Sequence, residues 1–271
     1  MTMTEVVPKC PVCGGTYTSR IAHKDRYGYE ACFSLCLSCD FIYLNPRPTQ
    51  KDYTEFYDGE YRRLVAQYRG EVDTERNQWH YGFALAKFLA DHGVLADSVL
   101  DIGGSTGVVA EHVAGNKHGC KVTVVDPCDE ELERARARGF KVLASTVEEA
   151  RIKSIPHSLI LMCRTIDHIL EPLVTLKRIA DEMSDTDLMY LDHCDWLLVA
   201  RREGFTNAFH IDHPSNFTRE SMARLVCEAG LYPVAEYCPP NSTCYGYLLK
   251  KSNGYGISGS QLLSEIREMQ V

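Results

Sequence analysis

Short apolar runs rich in β-branched residues alternate with amphipathic stretches through most of the chain, and this alternation points to a fold class. Strand-like runs occur at Ser98–Ile102, Lys121–Val125, Lys141–Leu143, Leu159–Met162 and Leu188–Leu191. Helical spacing falls between or after them at Val108–Ala114, at Asp129–Arg138 closed by Gly139, at Leu173–Met183 after Pro172, and at Arg219–Ala229 stopped by Gly230. Val234–Tyr237 and Tyr245–Leu249 predict a closing antiparallel pair. Strands alternating with helices predict an α/β fold with a doubly wound, mainly parallel sheet.

Upstream the pattern changes. Phe41–Leu44 predicts a strand that Asn45-Pro46-Arg47-Pro48 must end, because two prolines cannot sit inside a ladder. Thr49 then offers a helix N-cap with Asp52 at the third helical position. Tyr53, Phe56, Tyr57, Tyr61, Leu64, Val65 and Tyr68 follow at helical spacing, broken at Gly59. A stripe so rich in tyrosine is packing surface by default; lining a substrate pocket is the second reading. Arg62 and Arg63 are either solvated or face an anionic substrate. Trp79, Phe83, Leu85, Ala86, Phe88 and Leu89 mark a second helix that ends at His92-Gly93. At the far end Leu262, Leu263, Ile266 and Met269 predict a tail helix that packs on the core or on a partner chain, which leaves a homo-oligomer open. The organisation expected is 1–48 as a small module, 49–93 as a helical linker, 94–251 as the main domain and 252–271 as a tail.

Composition narrows the class. The 271 residues are 45% hydrophobic, with no run near the ~18 apolar residues of a membrane span. Net charge is −8 at pH 7. That balance speaks against a nucleic-acid partner, which needs a concentrated basic surface; Arg134, Arg136 and Arg138 are interleaved with Glu130, Glu131 and Glu133, as on a solvated helix face. The first residues carry neither a basic n-region nor an apolar h-region, so a cytoplasmic protein with reduced thiols is expected.

Four of the twelve cysteines stand apart from the rest. Cys10-Pro11-Val12-Cys13 and Cys36-Leu37-Ser38-Cys39 are two CxxC pairs separated by 22 residues. Two such knuckles supply four sulfurs for one tetrahedral Zn2+, with Gly14, Gly15 and Asp40 at the turns that follow. The polar, aromatic stretch between them reads as a hairpin too small to bury a core of its own, so a structural metal makes physical sense. A redox CxxC is the alternative, disfavoured because neither pair sits in a βα unit.

The chemistry of the main domain gathers after its first strand. Val99-Leu100-Asp101-Ile102-Gly103-Gly104-Ser105-Thr106-Gly107 places an acid and small residues between a strand and a helix start, a place where α/β sheets hold cofactors. Its glycines match neither the dinucleotide spacing nor a phosphate-binding loop. Asp126-Pro127 ends the next strand, about twenty residues on, where an acid takes ribose hydroxyls.

On these residues the chain resembles class I S-adenosylmethionine-dependent methyltransferases. Residues 99–107 are similar to their first motif, with Ser105 in the place of a glycine. Val124-Val125-Asp126-Pro127 is similar to the second, and Thr165–Pro172 to a Glu-His stretch after the fourth strand, with Asp167 for the glutamate. Cys36–Pro48 and His210-Ile211-Asp212-His213-Pro214-Ser215-Asn216-Phe217-Thr218 resemble a narrower bacterial group with an N-terminal zinc ribbon, again with Asp212 for a glutamate. The resemblance covers about residues 10–250. It implies a Rossmann-like seven-stranded sheet behind a zinc ribbon, S-adenosylmethionine as cofactor, and a small-molecule substrate from sugar, polysaccharide or natural-product pathways. Relatives that methylate carbon on nucleotide-linked keto-deoxysugars carry an extra C-terminal domain that this sequence stops short of.

The resemblance also implies site roles. Asp101, Gly103, Gly104, Ser105 and Gly107 would face the methionine part of the cofactor, Asp126 with Pro127 the ribose, Thr146 and Val147 the adenine, and Met162, Cys163 and Arg164 the methionine end. Methyl transfer then needs a base of near-neutral pKa for a weak nucleophile. His213 is the first candidate, with Asp212 or His210 to orient it, and the plain alternative is a hydrogen-bonding residue under the next helix. His193 is the second candidate, and His168 is structural or cofactor-side. Two other functions stay open: an RNA-modifying methyltransferase that uses the ribbon to hold RNA, and a module that binds the cofactor without catalysis.

Overall fold

The structure, a computed structural model, describes residues 3–61, 63–64, 74–239 and 242–252. The chain opens with β1 (Thr18–Lys24), β2 (Glu30–Cys36) and β3 (Ile42–Leu44), followed by helices α1 (Gln50–Gly59) and α2 (Thr74–Asp91). The main domain then runs β4 (Ser98–Ile102), α3 (Val108–Ala114), β5 (Lys121–Asp126), α4 (Asp129–Ala137), β6 (Lys141–Ala144), β7 (Leu159–Met162), α5 (Pro172–Glu182) and β8 (Leu188–Cys194). It closes with α6 (Trp196–Glu203), β9 (Ser215–Asn216), α7 (Arg219–Glu228), β10 (Leu231–Tyr237) and β11 (Cys244–Lys251).

The central sheet has seven strands in the order β10-β11-β8-β7-β4-β5-β6. The five from β4 to β8 are parallel to their neighbours, and β11 is antiparallel to both β8 and β10. Both faces are covered, which is why the strands read as nearly continuous apolar runs. Leu100, Ile102, Ile160, Met162, Met189 and Leu191 pack on one face with Leu176, Ile179, Met222 and Leu225 of α5 and α7. Val99, Val122, Val124, Leu159, Leu161 and Tyr190 pack on the other with Leu85, Leu89, Ala110, Val113 and Leu132 of α2, α3 and α4. The strand order reverses beside β4, so the gap for a ligand opens at the carboxyl end of the strand that leads into the glycine loop.

The boundary expected at residue 48 does not separate two bodies. The hairpin β1–β2 and strand β3 form a second sheet whose fourth strand, β9, comes from the main domain through Ile42↔Asn216 and Tyr43↔Ser215. Cys10, Val12, Cys36, Cys39, Phe41 and Tyr43 share one buried cluster with Leu100 and Ile102. Asn45 and Arg47 explain the Asn-Pro-Arg-Pro stretch. Asn45 exchanges two 3.0 Å hydrogen bonds with the backbone of Val7, and buried Arg47 donates to Glu5, Glu171 and the Leu170 carbonyl.

Thr49 caps α1 as its sequence predicts, accepting from Asp52 N at 3.2 Å, and α1 ends at Gly59. In α2 the apolar stripe differs from expectation. Leu85, Ala86, Phe88 and Leu89 are buried, whereas Trp79 and Phe83 are 49% and 58% exposed and stack on each other. Helix α6 and the two-residue β9 had no signal in the apolar pattern. Arg136 and Arg138 pair with Glu133, Glu111 and Glu75, the ion-paired face expected of them. Val65, Tyr68, Arg62 and the predicted tail helix lie outside the described residues. No helix among the described residues is long and apolar enough to cross a membrane.

Candidate active site

The turn after β4 is built from three left-handed residues in five: Gly103 at φ 70°, Ser105 at φ 51° and Gly107 at φ 77°. This reverses the chain from strand into α3. Gly103 also lies against Thr165, where a Cβ would come within 2.4 Å of the Thr165 hydroxyl, so glycine is required twice over. Ser105 meets the left-handed conformation at a cost of about 1–2 kcal/mol and is held there from outside. Its N–H donates to Asp126 Oδ2 at 2.9 Å and its hydroxyl to Glu131 at 2.9 Å.

Asp101 sits beneath this turn. It is 1% exposed, and neither carboxyl oxygen has a hydrogen-bond partner among the described residues. A Cβ on Gly104 would come within 2.5 Å of that carboxyl. Burial, reinforced by the Asp126 charge, pushes Asp101 up to about 7. A buried acid with no partner of its own, facing a bare glycine backbone, is a place for a donor from a ligand. Asp126, at the tip of β5, also accepts from Cys128 N at 2.9 Å, so it organises the loop as well as facing the gap. Thr146 follows the end of β6 near Asp126, where Ser145 N donates to the Asp126 carbonyl at 3.2 Å. Val147 turns its side chain into the core, and its carbonyl accepts from Arg178.

At the end of β7 a second set of polar groups converges. Arg164 is left-handed at φ 54°. Its N–H and Nε donate to the two oxygens of Asp192 at 2.6 and 3.1 Å. Tyr81 of α2 donates to Asp192 Oδ2 at 2.6 Å and lies under the Arg164 guanidinium. Burial pushes the Cys163 thiol well up, so it is neutral there. Asp192 was legible as the acid ending a strand run. Tyr81 falls between the apolar positions of α2, and no pattern singles it out.

The acceptor side lies between the two sheets. Tyr53 and Tyr57 of α1 donate to the Asp212 carbonyl at 2.8 and 3.2 Å. His168 Nδ1 lies 2.8 Å from the same carbonyl and also meets Tyr57 Oη. A carbonyl only accepts, so His168 carries its proton on Nδ1 and Nε2 is its basic nitrogen. The His213 ring is 4.5 Å from both His168 and His210, and its Nε2 is 3.7 Å from Asp212 Oδ2. His213 is 22% exposed and Asp212 3%, a reachable base beside a sealed carboxylate. Donor atoms of His168, Asp212 and His213 lie within 4.8 Å of one another, a spacing that also suits a divalent cation.

The N-terminal sheet holds this turn in place. Asp25 accepts from Ile211 N at 2.9 Å and from Tyr27 and Tyr29 N in its own hairpin. Arg26 N donates to the Phe209 carbonyl and Leu44 N to the Pro214 carbonyl, each at 2.9 Å. His193 is placed elsewhere. It is fully buried among Phe217, Tyr245 and Tyr247, and burial with the charges of Arg164 and Arg219 lowers it to about 3. A neutral, sealed imidazole has no route to a substrate proton.

The two CxxC pairs adopt one turn twice. Gly14 N donates to the Cys10 carbonyl and Asp40 N to the Cys36 carbonyl, both at 2.9 Å, with Gly14 and Asp40 left-handed. The sulfurs of Cys10 and Cys39 are 3.6 Å apart and those of Cys13 and Cys36 3.5 Å. Four sulfurs about 2.3 Å from a central zinc stand about 3.8 Å apart, so the thiols fit the ion with little movement.

A family model described as a methyltransferase domain matches residues 53–236. No curated protein matches the chain in sequence. Among solved structures, it is similar to a S-adenosylmethionine-dependent methyltransferase from Clostridium acetobutylicum, with 14% identity, 74% of this chain and 100% of that one covered, and a TM-score of 0.54. The plantazolicin methyltransferase BpumL in complex with SAH is similar at 12% identity, 73% and 93% coverage and TM-score 0.56. The mitomycin 7-O-methyltransferase MmcR is similar at 18%, 76% and 61%, and 0.55. The likeness is one of fold, an α/β Rossmann-like sheet that is mostly parallel.

Proposed function

The chain belongs to the methyltransferase-domain family, and from that premise we propose that it moves the methyl group of S-adenosylmethionine to a small sugar-derived or nucleotide-sugar acceptor. The observation that carries the cofactor is Asp101, a buried carboxyl without a partner, under a turn whose glycines leave no side chain in the way. The fold neighbour that binds SAH supports the same cofactor class. When bound, S-adenosylmethionine supplies an electrophilic methyl on a positive sulfur and leaves as a neutral thioether. Asp101 would hold its amino group, Gly103–Gly107 its methionine backbone, Asp126 its ribose, and the end of β6 at Thr146 its base.

The chain's remaining task is to place the acceptor and take its proton. His213 takes that proton, with the Asp212 carboxylate steadying the charged ring. His168, fixed by the Asp212 carbonyl and Tyr57, presents Nε2 to an acceptor hydroxyl. Tyr53, Tyr57 and Tyr61 suit a sugar through ring faces and phenol groups. Cys10, Cys13, Cys36 and Cys39 hold a structural zinc that keeps the N-terminal sheet folded under the His210–His213 turn.

Calorimetric titration with S-adenosylmethionine tests the reading. One site per chain is expected, and Asp126→Ala should weaken it tenfold or more, about 1.4 kcal/mol. Unchanged affinity in a folded Asp126→Ala protein would overturn the assignment.

A further inference from the structure

Cys194 and Cys244 stand outside the roles assigned above. They are directly opposed on β8 and β11, at the end of the sheet where Arg164 and Asp167 gather. The flanking bond from Asp195 N to the Thr243 carbonyl, 2.7 Å, marks Cys194↔Cys244 as a non-hydrogen-bonded pair. At such a pair the two Cα atoms approach most closely, within the span a disulfide bridges. The two sulfurs are 2.7 Å apart. Both cysteines are free thiols, Cys244 buried and Cys194 half-buried. Arg164 Nη1 reaches the Cys194 sulfur at 3.7 Å, so a fixed cation faces the pair.

We infer that Cys194 and Cys244 are a redox-active dithiol that closes to a cross-strand disulfide under hydrogen peroxide, pinning the antiparallel strand β11 to β8 beside Arg164. The Cys194 S–H donates to the Cys244 sulfur and lowers Cys244 to about 7 against burial, with Arg164 acting in the same sense. The thiolate is therefore Cys244, and peroxide is small enough to reach it. Its sulfur attacks one peroxide oxygen, the O–O bond breaks, and the departing hydroxide takes a proton and leaves as water. Cys194 then attacks the sulfenic sulfur of Cys244, the S–O bond breaks, and a second water carries off the Cys194 proton. The two thiols lose two electrons in all, and the peroxide is reduced to two waters.

The test uses the full chain under graded hydrogen peroxide, followed by alkylation of free thiols, non-reducing digestion and sequencing of peptides by fragmentation. The expected result is a Cys194–Cys244 linked peptide, lighter by two hydrogens, with both alkylation sites lost together and both recovered by dithiothreitol. It should form at peroxide levels that leave the exposed Cys238 alkylatable, and it should be absent from Cys194→Ser. Two free thiols at peroxide levels that oxidise Cys238, or a sulfinic acid on Cys244 without a link, would overturn the inference. The wild-type readout decides the matter even where Cys194→Ser fails to fold.

Discussion

The cofactor end and the acceptor end of this site are built in opposite ways. The glycine turn draws nearly all its parts from residues 101–131, one strand-turn-helix-strand unit with Thr165 as a neighbour. Its geometry comes from backbone conformation and short-range hydrogen bonds. The acceptor cluster gathers Asp25, Tyr53, Tyr57, His168 and the His210–His213 turn, with the bond from Ile211 to Asp25 bridging 186 residues. Every group there is placed by another element, and the N-terminal sheet supports the turn that carries His213. One end is therefore local and self-sufficient. The other depends on the fold of a module that a reader of the sequence would set aside as an appendage.

The largest test of this contrast is to dismantle the module. Cys36→Ser should reduce bound zinc below one per chain by metal analysis, and lower the thermal midpoint by roughly 10 °C or more. Methyl transfer should be lost while S-adenosylmethionine affinity stays within about threefold. Cofactor affinity falling in step with transfer would show that the two ends unfold as one. Removing the base alone is the next largest. His213→Ala should cut turnover by about 10²–10⁴-fold at unchanged cofactor affinity, and a fully active variant would strike His213 from the mechanism.

The converse damage falls on the cofactor end. Gly104→Ala would bring a methyl within 2.5 Å of the Asp101 carboxyl and 2.9 Å of Val124. Overpacking of this kind costs about 1–3 kcal/mol and should weaken S-adenosylmethionine roughly 5- to 100-fold. The His168–His213 ring contacts should survive, which imidazole resonances in NMR spectra would report. The smallest effect is the pH dependence of Asp101. Its folded pKa is raised to about 7, so its contribution to stability is complete below the unfolded carboxylate range and is lost as pH rises through about 7. Without cofactor, the thermal midpoint should fall by roughly 5 °C between about pH 5 and pH 8. Asp101→Asn should remove part of that slope; Asp25, Asp167 and Asp195, also raised by burial, retain the rest. An unaltered slope in Asp101→Asn would move the effect away from the cofactor end.

Much of the fold was legible because its signals are local. Strand runs buried on both sides, Gly93, Gly139 and Gly230 at helix ends, and Thr49 as a cap each follow from the preferences of a few adjacent residues. The strand order required the packed sheet, since apolar runs state no partner. Trp79 and Phe83 misled for a related reason: helical spacing marks a face and leaves open whether anything covers it.

The sequence by itself determined the cofactor loop, with its acid, its left-handed glycines and its partner Asp126, because a tight turn is fixed by the residues inside it. It also determined the two cysteine knuckles, whose spacing is a property of each CxxC alone. Only the tertiary structure decided which histidine is reachable. His193 and His213 are alike in sequence, each beside an aspartate after an apolar run. Burial among three aromatic rings silences the first, and the second is lifted into the gap by Asp25, β3 and β9. Long-range contacts of that kind arise when the two sheets close on each other, and no stretch of the chain carries them alone.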